Sequence, residues 1–160
     1  MPVRNWLAAL SACGVALCGC PAAAQSTNVR ISGLTDLAFG SLTGGDVVRS
    51  ENVCVFSSTG TKGYRVTASG SGASNAFTLA NGGAALPYEV QWNKLSNQTS
   101  GTGLTPNIAL TGQTSTATQQ QCNSGPTSSG TLILIIRGTS ASAAAGGNYA
   151  GTLTLLIGPE

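Results

Sequence analysis

Between Val29 and Ile157 the apolar residues fall mostly on every second position, the period of a half-buried strand, with Gly and Asn clusters as punctuation. Val29-Arg30-Ile31 predicts a short first strand that Gly33 ends, and Leu34 to Phe39 (LTDLAF) a second, ended by Gly40. Asp46 to Phe56 (DVVRSENVCVF) contains a longer strand in which Val53 and Val55 face away from Cys54 and Phe56. After the turn at Thr59-Gly60, Tyr64 to Ala68 alternates cleanly. Phe77-Thr78-Leu79 leads into the turn Asn81-Gly82-Gly83, and Leu86, Tyr88, Val90 and Trp92 then share one face. Pro87 has no N–H for a ladder, so it belongs at an edge or near a strand start.

From Asn93 to Gly130 the chain is rich in Ser, Thr, Gln and Gly, with one weak strand at Ile108-Ala109-Leu110. Thr131 to Arg137 (TLILIIR) is continuously apolar, as expected of a central strand covered on both faces. That cover is not evident in the polar stretch before it. Ala141 to Ala145 predicts a helical turn. Tyr149 to Ile157 (YAGTLTLLI) then alternates, with Tyr149, Leu153, Leu155 and Ile157 on one face. No helix of three turns is expected downstream of the leader described next. Seven or eight short strands in one domain predict an all-β sandwich.

The N-terminus follows a different pattern. Arg4 precedes an uncharged, largely apolar run, Trp6 to Cys20, and Pro21-Ala22-Ala23-Ala24 supplies small residues at the positions a signal peptidase reads. This predicts a signal peptide over 1–24 and a single exported domain over 25–160. The run is shorter than the roughly 20 residues of a membrane-spanning helix, and no second one follows, so the mature chain is not expected to span a membrane. Leu17-Cys18-Gly19-Cys20 outlines a rival lipidation box, although Cys18 stands where Ala or Ser is usual and Pro21 would follow the modified Cys20.

Composition narrows the function classes. Cleavage after Ala24 removes three of the five cysteines and leaves Cys54 and Cys122, an even pair in an oxidising compartment, for which a disulfide is expected. Without a histidine in the chain, these two thiols make no usual zinc site. Charged residues are only 8% of the chain and the net charge is +2, which gives nucleic acid no basic patch. The lack of histidine also removes Ser-His-Asp and Cys-His catalysis. The five acids (Asp36, Asp46, Glu51, Glu89 and Glu160) are scattered, and Asp46 with Glu51 reads as a solvated hairpin rather than a catalytic dyad. Gly44-Gly45 and Gly82-Gly83 are turns, since no phosphate-binding lysine motif follows either. No cofactor, metal or enzymatic activity is expected.

The order Cys54, Trp92, Cys122 is similar to that of an immunoglobulin domain, but Trp92 lies too far past Cys54 for a true member. A closer resemblance joins three segments in order: DLAFGSL (Asp36 to Leu42), VCVFSSTGTKGYRVTASGSG (Val53 to Gly72) and GNYAGTLTLLIGPE (Gly147 to Glu160). Together they resemble the spore coat protein U domain, which characterises subunits of archaic chaperone–usher pili. The resemblance implies an immunoglobulin-like sandwich, possibly incomplete, whose last strand a neighbouring subunit donates. Its implied partners are a periplasmic chaperone, an outer-membrane usher and neighbouring pilus subunits. The implied route runs through the periplasm to the cell surface or an extracellular pilus, with a role in surface adhesion or biofilm.

By the same resemblance, Gly147, Tyr149, Gly151, Leu153, Leu155 and Ile157 of the C-terminal strand would bind subunit or chaperone. Gly147 stands fourteenth from the end, as in the pilus C-terminal motif, while Pro159 replaces the usual penultimate tyrosine. Val29-Ile31 is either a minimal donor strand or the domain's own first strand. In the second case the subunit accepts a strand and gives none, as at a pilus tip. A self-contained secreted adhesin-like domain or coat protein is the alternative; all of its strands would come from its own chain.

Overall fold

The computed structural model describes residues 27–160, so the leader, its cleavage site and the lipidation box lie outside the described residues. Ten strands and one short helix form an all-β, immunoglobulin-like fold. In chain order the strands are β1 (Val29–Ser32), β2 (Val47–Ser57), β3 (Gly63–Gly70), β4 (Thr78–Asn81), β5 (Ala84–Pro87), β6 (Glu89–Asn93), β7 (Thr102–Gly103), β8 (Leu110–Thr114), β9 (Gly130–Ile136) and β10 (Leu153–Pro159). The helix α1 covers Gly138–Ala143. One antiparallel sheet has the order β1-β2-β9-β6-β7 and a second has β10-β3-β8, with the β4-β5 hairpin apart from both.

Alternation along each strand decides which face is buried. Val53 and Val55 of β2, Tyr64, Val66 and Ala68 of β3, Val90 and Trp92 of β6, and Leu132, Leu134 and Ile136 of β9 form one core. At its centre the Trp92 indole meets the Tyr64 ring edge-on at 6.3 Å and donates from Nε1 to Tyr64 Oη at 3.2 Å, so both polar tips are satisfied away from water. Cys54 and Phe56, on the opposite face of β2, join Ala117 and Cys122 in a separate small cluster. Cys54 and Cys122 are disulfide-bonded there, across a sequence separation of 68. The bond therefore pins the polar loop to the outside of β2 and does not pack on Trp92 as in an antibody domain.

Before β9 begins at Gly130, opposite Val53, side chains continue the ladder's work on β2. Ser129 Oγ accepts from Val55 N–H and donates to Val55 O, both at 2.8 Å, and the buried Ser115 hydroxyl donates to the same carbonyl.

The expectation of a second strand over Leu34 to Phe39 is not met. Gly33, at φ +86, turns the chain off the sheet, and the backbone beyond it pairs with side chains instead of a ladder. Arg49 donates to the carbonyls of Ala38 (3.0 Å) and Phe39 (2.7 Å), and Glu51 Oε1 accepts from Thr35 N–H at 2.8 Å. Other boundaries also move. The weak strand read at 108–110 lies at Leu110–Thr114, the helical turn begins at Gly138, and Leu86 to Trp92 divides into β5 and β6. Pro87 ends β5, in a two-stranded sheet where every strand is an edge. Thr102–Gly103 pairs with Gln91 and Trp92, a strand too short for alternation to register.

β9 is central, between β2 and β6, and all seven of its residues are buried. Its outer face is covered by this chain after all. Ile133 is 0% exposed, and the polar excursion after β6 closes over Thr131, whose hydroxyl donates to Leu95 O at 2.8 Å. Val29-Ile31 is the domain's own first strand, paired antiparallel with Val55–Ser57.

Candidate functional site

The two walls of the sandwich are not joined along one side. β10 pairs with β3 alone, leaving its other edge without a strand partner among the described residues. Opposite that edge runs the peeled-off segment 34–42. Between them lie two depressions of about 800 and 230 Å³ that share Asp36, Leu37, Phe39, Leu79 and Gly151, and so form one continuous groove. Apolar side chains line its depth, among them Leu79, Leu86, Leu132, Leu134, Ile136 and Tyr88. Tyr88 is wedged between Phe39 and Phe77, with ring centroids 6.3 and 5.8 Å away. Burial pushes its phenol pKa above the usual range.

The residues that the C-terminal pattern singled out divide in two. Leu153, Leu155 and Ile157 stand on β10, half-buried against the core, and the first two line the groove. Thr154 and Leu156 point outward, and Leu156 is 68% exposed. Gly147, Tyr149 and Gly151 precede the strand, which begins four residues later than alternation suggested. In place of a ladder they make local contacts. Ala150 forms a single bridge with Ala80, and Tyr149 Oη donates to Ala145 O at 3.1 Å. Gly147 has φ +142 and a Cβ there would collide with the Asn81 side chain, which itself donates to Gly146 O.

Sequence reading missed one wall of the groove and one charged group in it. Within segment 34–42, Leu34 to Phe39 was expected to be a strand. Glu51 was read as part of a solvated hairpin with Asp46, but their surroundings differ. Asp46 accepts from Gly138 N–H (2.7 Å) and Arg137 (2.9 Å), and both interactions lower its pKa. Glu51 shares a face with Val53 and Val55, and its Oε2 is buried without a hydrogen-bond partner. The available signal was parity, since Arg49 and Glu51 sit four and two residues before Val53 on the inward side.

The groove offers backbone donors and acceptors along one lip and apolar surface beneath, the two features by which a sheet edge takes up an extended chain. Among the described residues no cluster of three or more His, Cys, Asp or Glu could hold a metal ion. Nor is any described helix long and apolar enough to cross a membrane.

No protein-family model matches the chain, and no curated protein is similar to it at a significant level. Among solved structures, one is similar in fold and another matches more weakly. One is a chaperone–tip adhesin complex of CFA/I fimbriae biogenesis, with TM-score 0.56 and 18% identity over 83% of this chain and 42% of that one. The other is the CsuC–CsuE chaperone–tip adhesion subunit pre-assembly complex of archaic chaperone–usher Csu pili from Acinetobacter baumannii. There the TM-score is 0.44 at 21% identity, over 82% of this chain and 39% of that one, an overlap too low to define a shared fold. The chain thus spans about two fifths of the length of these neighbours. The first likeness defines the class of fold, an immunoglobulin-like all-β domain.

Proposed function

We propose that the chain is a structural subunit of an extracellular pilus or fimbria, a binding protein rather than an enzyme, and that it receives a β-strand from another polypeptide along β10. One observation carries this reading: a strand edge without a strand partner among the described residues borders a groove with apolar side chains at its depth. A docked strand would satisfy the backbone of β10 and cover Leu153 and Leu155 together. Completing the burial of each leucine contributes about 1 kcal/mol.

The donor is a periplasmic chaperone during export and a neighbouring subunit after passage through an outer-membrane usher. Residues 1–24 serve as the signal peptide and 25–160 as the single mature domain. A role in surface adhesion, with the subunit at the fibre tip, fits two observations. β1 is engaged in its own sheet, and the neighbour of higher overlap comes from a chaperone–tip adhesin complex.

Expression of the mature chain in the periplasm tests the proposal. Alone it should aggregate or be degraded, and a co-expressed chaperone or an added peptide of alternating apolar residues should restore soluble, cooperatively unfolding protein. Recovery of a stable monomer without either would point to the self-contained secreted adhesin-like domain.

A further inference from the structure

We propose that Arg49 and Glu51 form a latch that keeps the groove open, and that segment 34–39, once unlatched, closes on β10 as a strand of the chain's own. The inference rests on the strand-accepting reading above and adds its regulation. The groove is free to take a foreign strand only while the latch holds.

Segment 34–39 has the make-up of a strand without the bonding of one. LTDLAF is strand-like in composition, yet no ladder bond ties it to another strand among the described residues. Two side chains of β2, two residues apart on one face, hold it instead. Arg49 donates to the carbonyls of Ala38 and Phe39 at 3.0 and 2.7 Å, and Glu51 Oε1 accepts from the N–H and the hydroxyl of Thr35. A glycine takes the backbone through a turn at either end, Gly33 at φ +86 and Gly40 at φ +76, so the segment between them can swing as a unit. Its Leu37 and Phe39 are only partly buried and line both depressions.

Across the groove stands the edge of β10, which has no strand partner among the described residues. Two stretches of backbone outside any ladder thus border one groove with apolar side chains at its depth. Bare strand edges and bare apolar surface both favour contact between them. The latch opposes it, because closure breaks the charge-assisted hydrogen bonds of Arg49 and Glu51. The chain therefore has two arrangements, latched open or closed with 34–39 on β10. A foreign strand binds only the first, so its apparent affinity follows the fraction of chains that are open.

The test uses the full mature chain refolded at high dilution, with and without a fluorescent ten-residue peptide of alternating valine and threonine. Arg49→Met removes the donors and keeps most of the side chain's length. In this variant the peptide should bind about tenfold more weakly, and without peptide the β10 amides should exchange with deuterium about tenfold more slowly. Aggregation of the free chain should slow with them, because the edge that templates it is covered. A merely structural role for Arg49 gives a different pattern: a loosened wall weakens peptide binding while β10 exchanges faster and aggregation speeds up. That pattern, or binding and exchange unchanged by Arg49→Met, would overturn the inference and leave strand acceptance standing. Arg49→Lys and Glu51→Gln each keep part of the latch and should shift all three readouts in the same direction by smaller factors. They carry the test if Arg49→Met does not fold. If the unaltered chain binds no peptide, the strand-accepting reading falls and the inference with it.

Discussion

Tyr64 shows how a single buried group ties stability to pH. It is 0% exposed, and desolvation raises its pKa to about 12, an effect the Trp92 hydrogen bond only partly opposes. The phenol therefore stays protonated in the folded chain at a pH where the unfolded chain has lost that proton, so stability falls as pH rises from about 10 towards 12. The slope should approach about 1.4 kcal/mol per pH unit, with Tyr88 adding to it in the same direction. Urea unfolding of the strand-complemented chain between pH 8 and 12 measures it. Tyr64→Phe should make the slope shallower while lowering stability at neutral pH by about 1–3 kcal/mol, because Trp92 Nε1 loses its acceptor. The disulfide acts instead through the unfolded chain. Replacing both Cys54 and Cys122 by Ser frees a loop of 68 residues and should cost about 4 kcal/mol in the same assay. Non-reducing peptide maps of the unaltered protein should show one cross-linked pair and no free thiol.

Three elements meet at Arg137, just past the end of β9. Its guanidinium bonds both Glu89 carboxylate oxygens, at 2.7 and 2.6 Å, and Asp46 at 2.9 Å. It thereby ties the start of β6 and the entry to β2 to the strand between them. Arg137 lowers the Glu89 pKa, and the Gly138 N–H together with Arg137 lowers that of Asp46. Depressed carboxylate values stabilise the fold above their unfolded values of 4.5 and 3.8, and that contribution is lost as pH falls below them. All three groups are about half exposed, so the effect should be small and weakened by salt. Arg137→Met should flatten the acid limb of a stability profile measured from pH 6 to 2, leaving the alkaline limb set by Tyr64 unchanged. The same element scale separates what periodicity foretells from what it does not. β2, β3, β9 and the inward residues of β10 were legible because each has a buried face or two. Segment 34–42 was not, because LTDLAF has strand-like composition and only the turn at Gly33 and the side chains of Arg49 and Glu51 decide that it peels away.

For the molecule as a whole, the open side is where self-association is expected. β10 is an edge strand whose outer face carries Leu156, so the uncomplemented chain presents backbone and apolar surface that a second copy can use. Leu156→Lys places a charge on that edge without entering the groove, since Leu155 and Ile157 hold the inward positions. It should slow aggregation of the uncomplemented chain several-fold by light scattering and leave peptide binding unchanged. Faster or equal aggregation would show that association proceeds through another surface.

Fold class, the central position of TLILIIR, the buried faces of most strands and the pairing of two cysteines are legible in the amino-acid sequence. Each follows from local periodicity, from continuous hydrophobicity or from a count of reactive groups. Tertiary packing alone leaves β10 without a strand neighbour on one side among the described residues and makes the opposite wall a peeled-off segment. It alone showed that Glu51 faces inward with one oxygen unsatisfied. Those outcomes depend on which elements meet across long sequence separations. Alternation tells a strand which face to bury, but an edge and a groove exist only by virtue of what is, or is not, packed beside them.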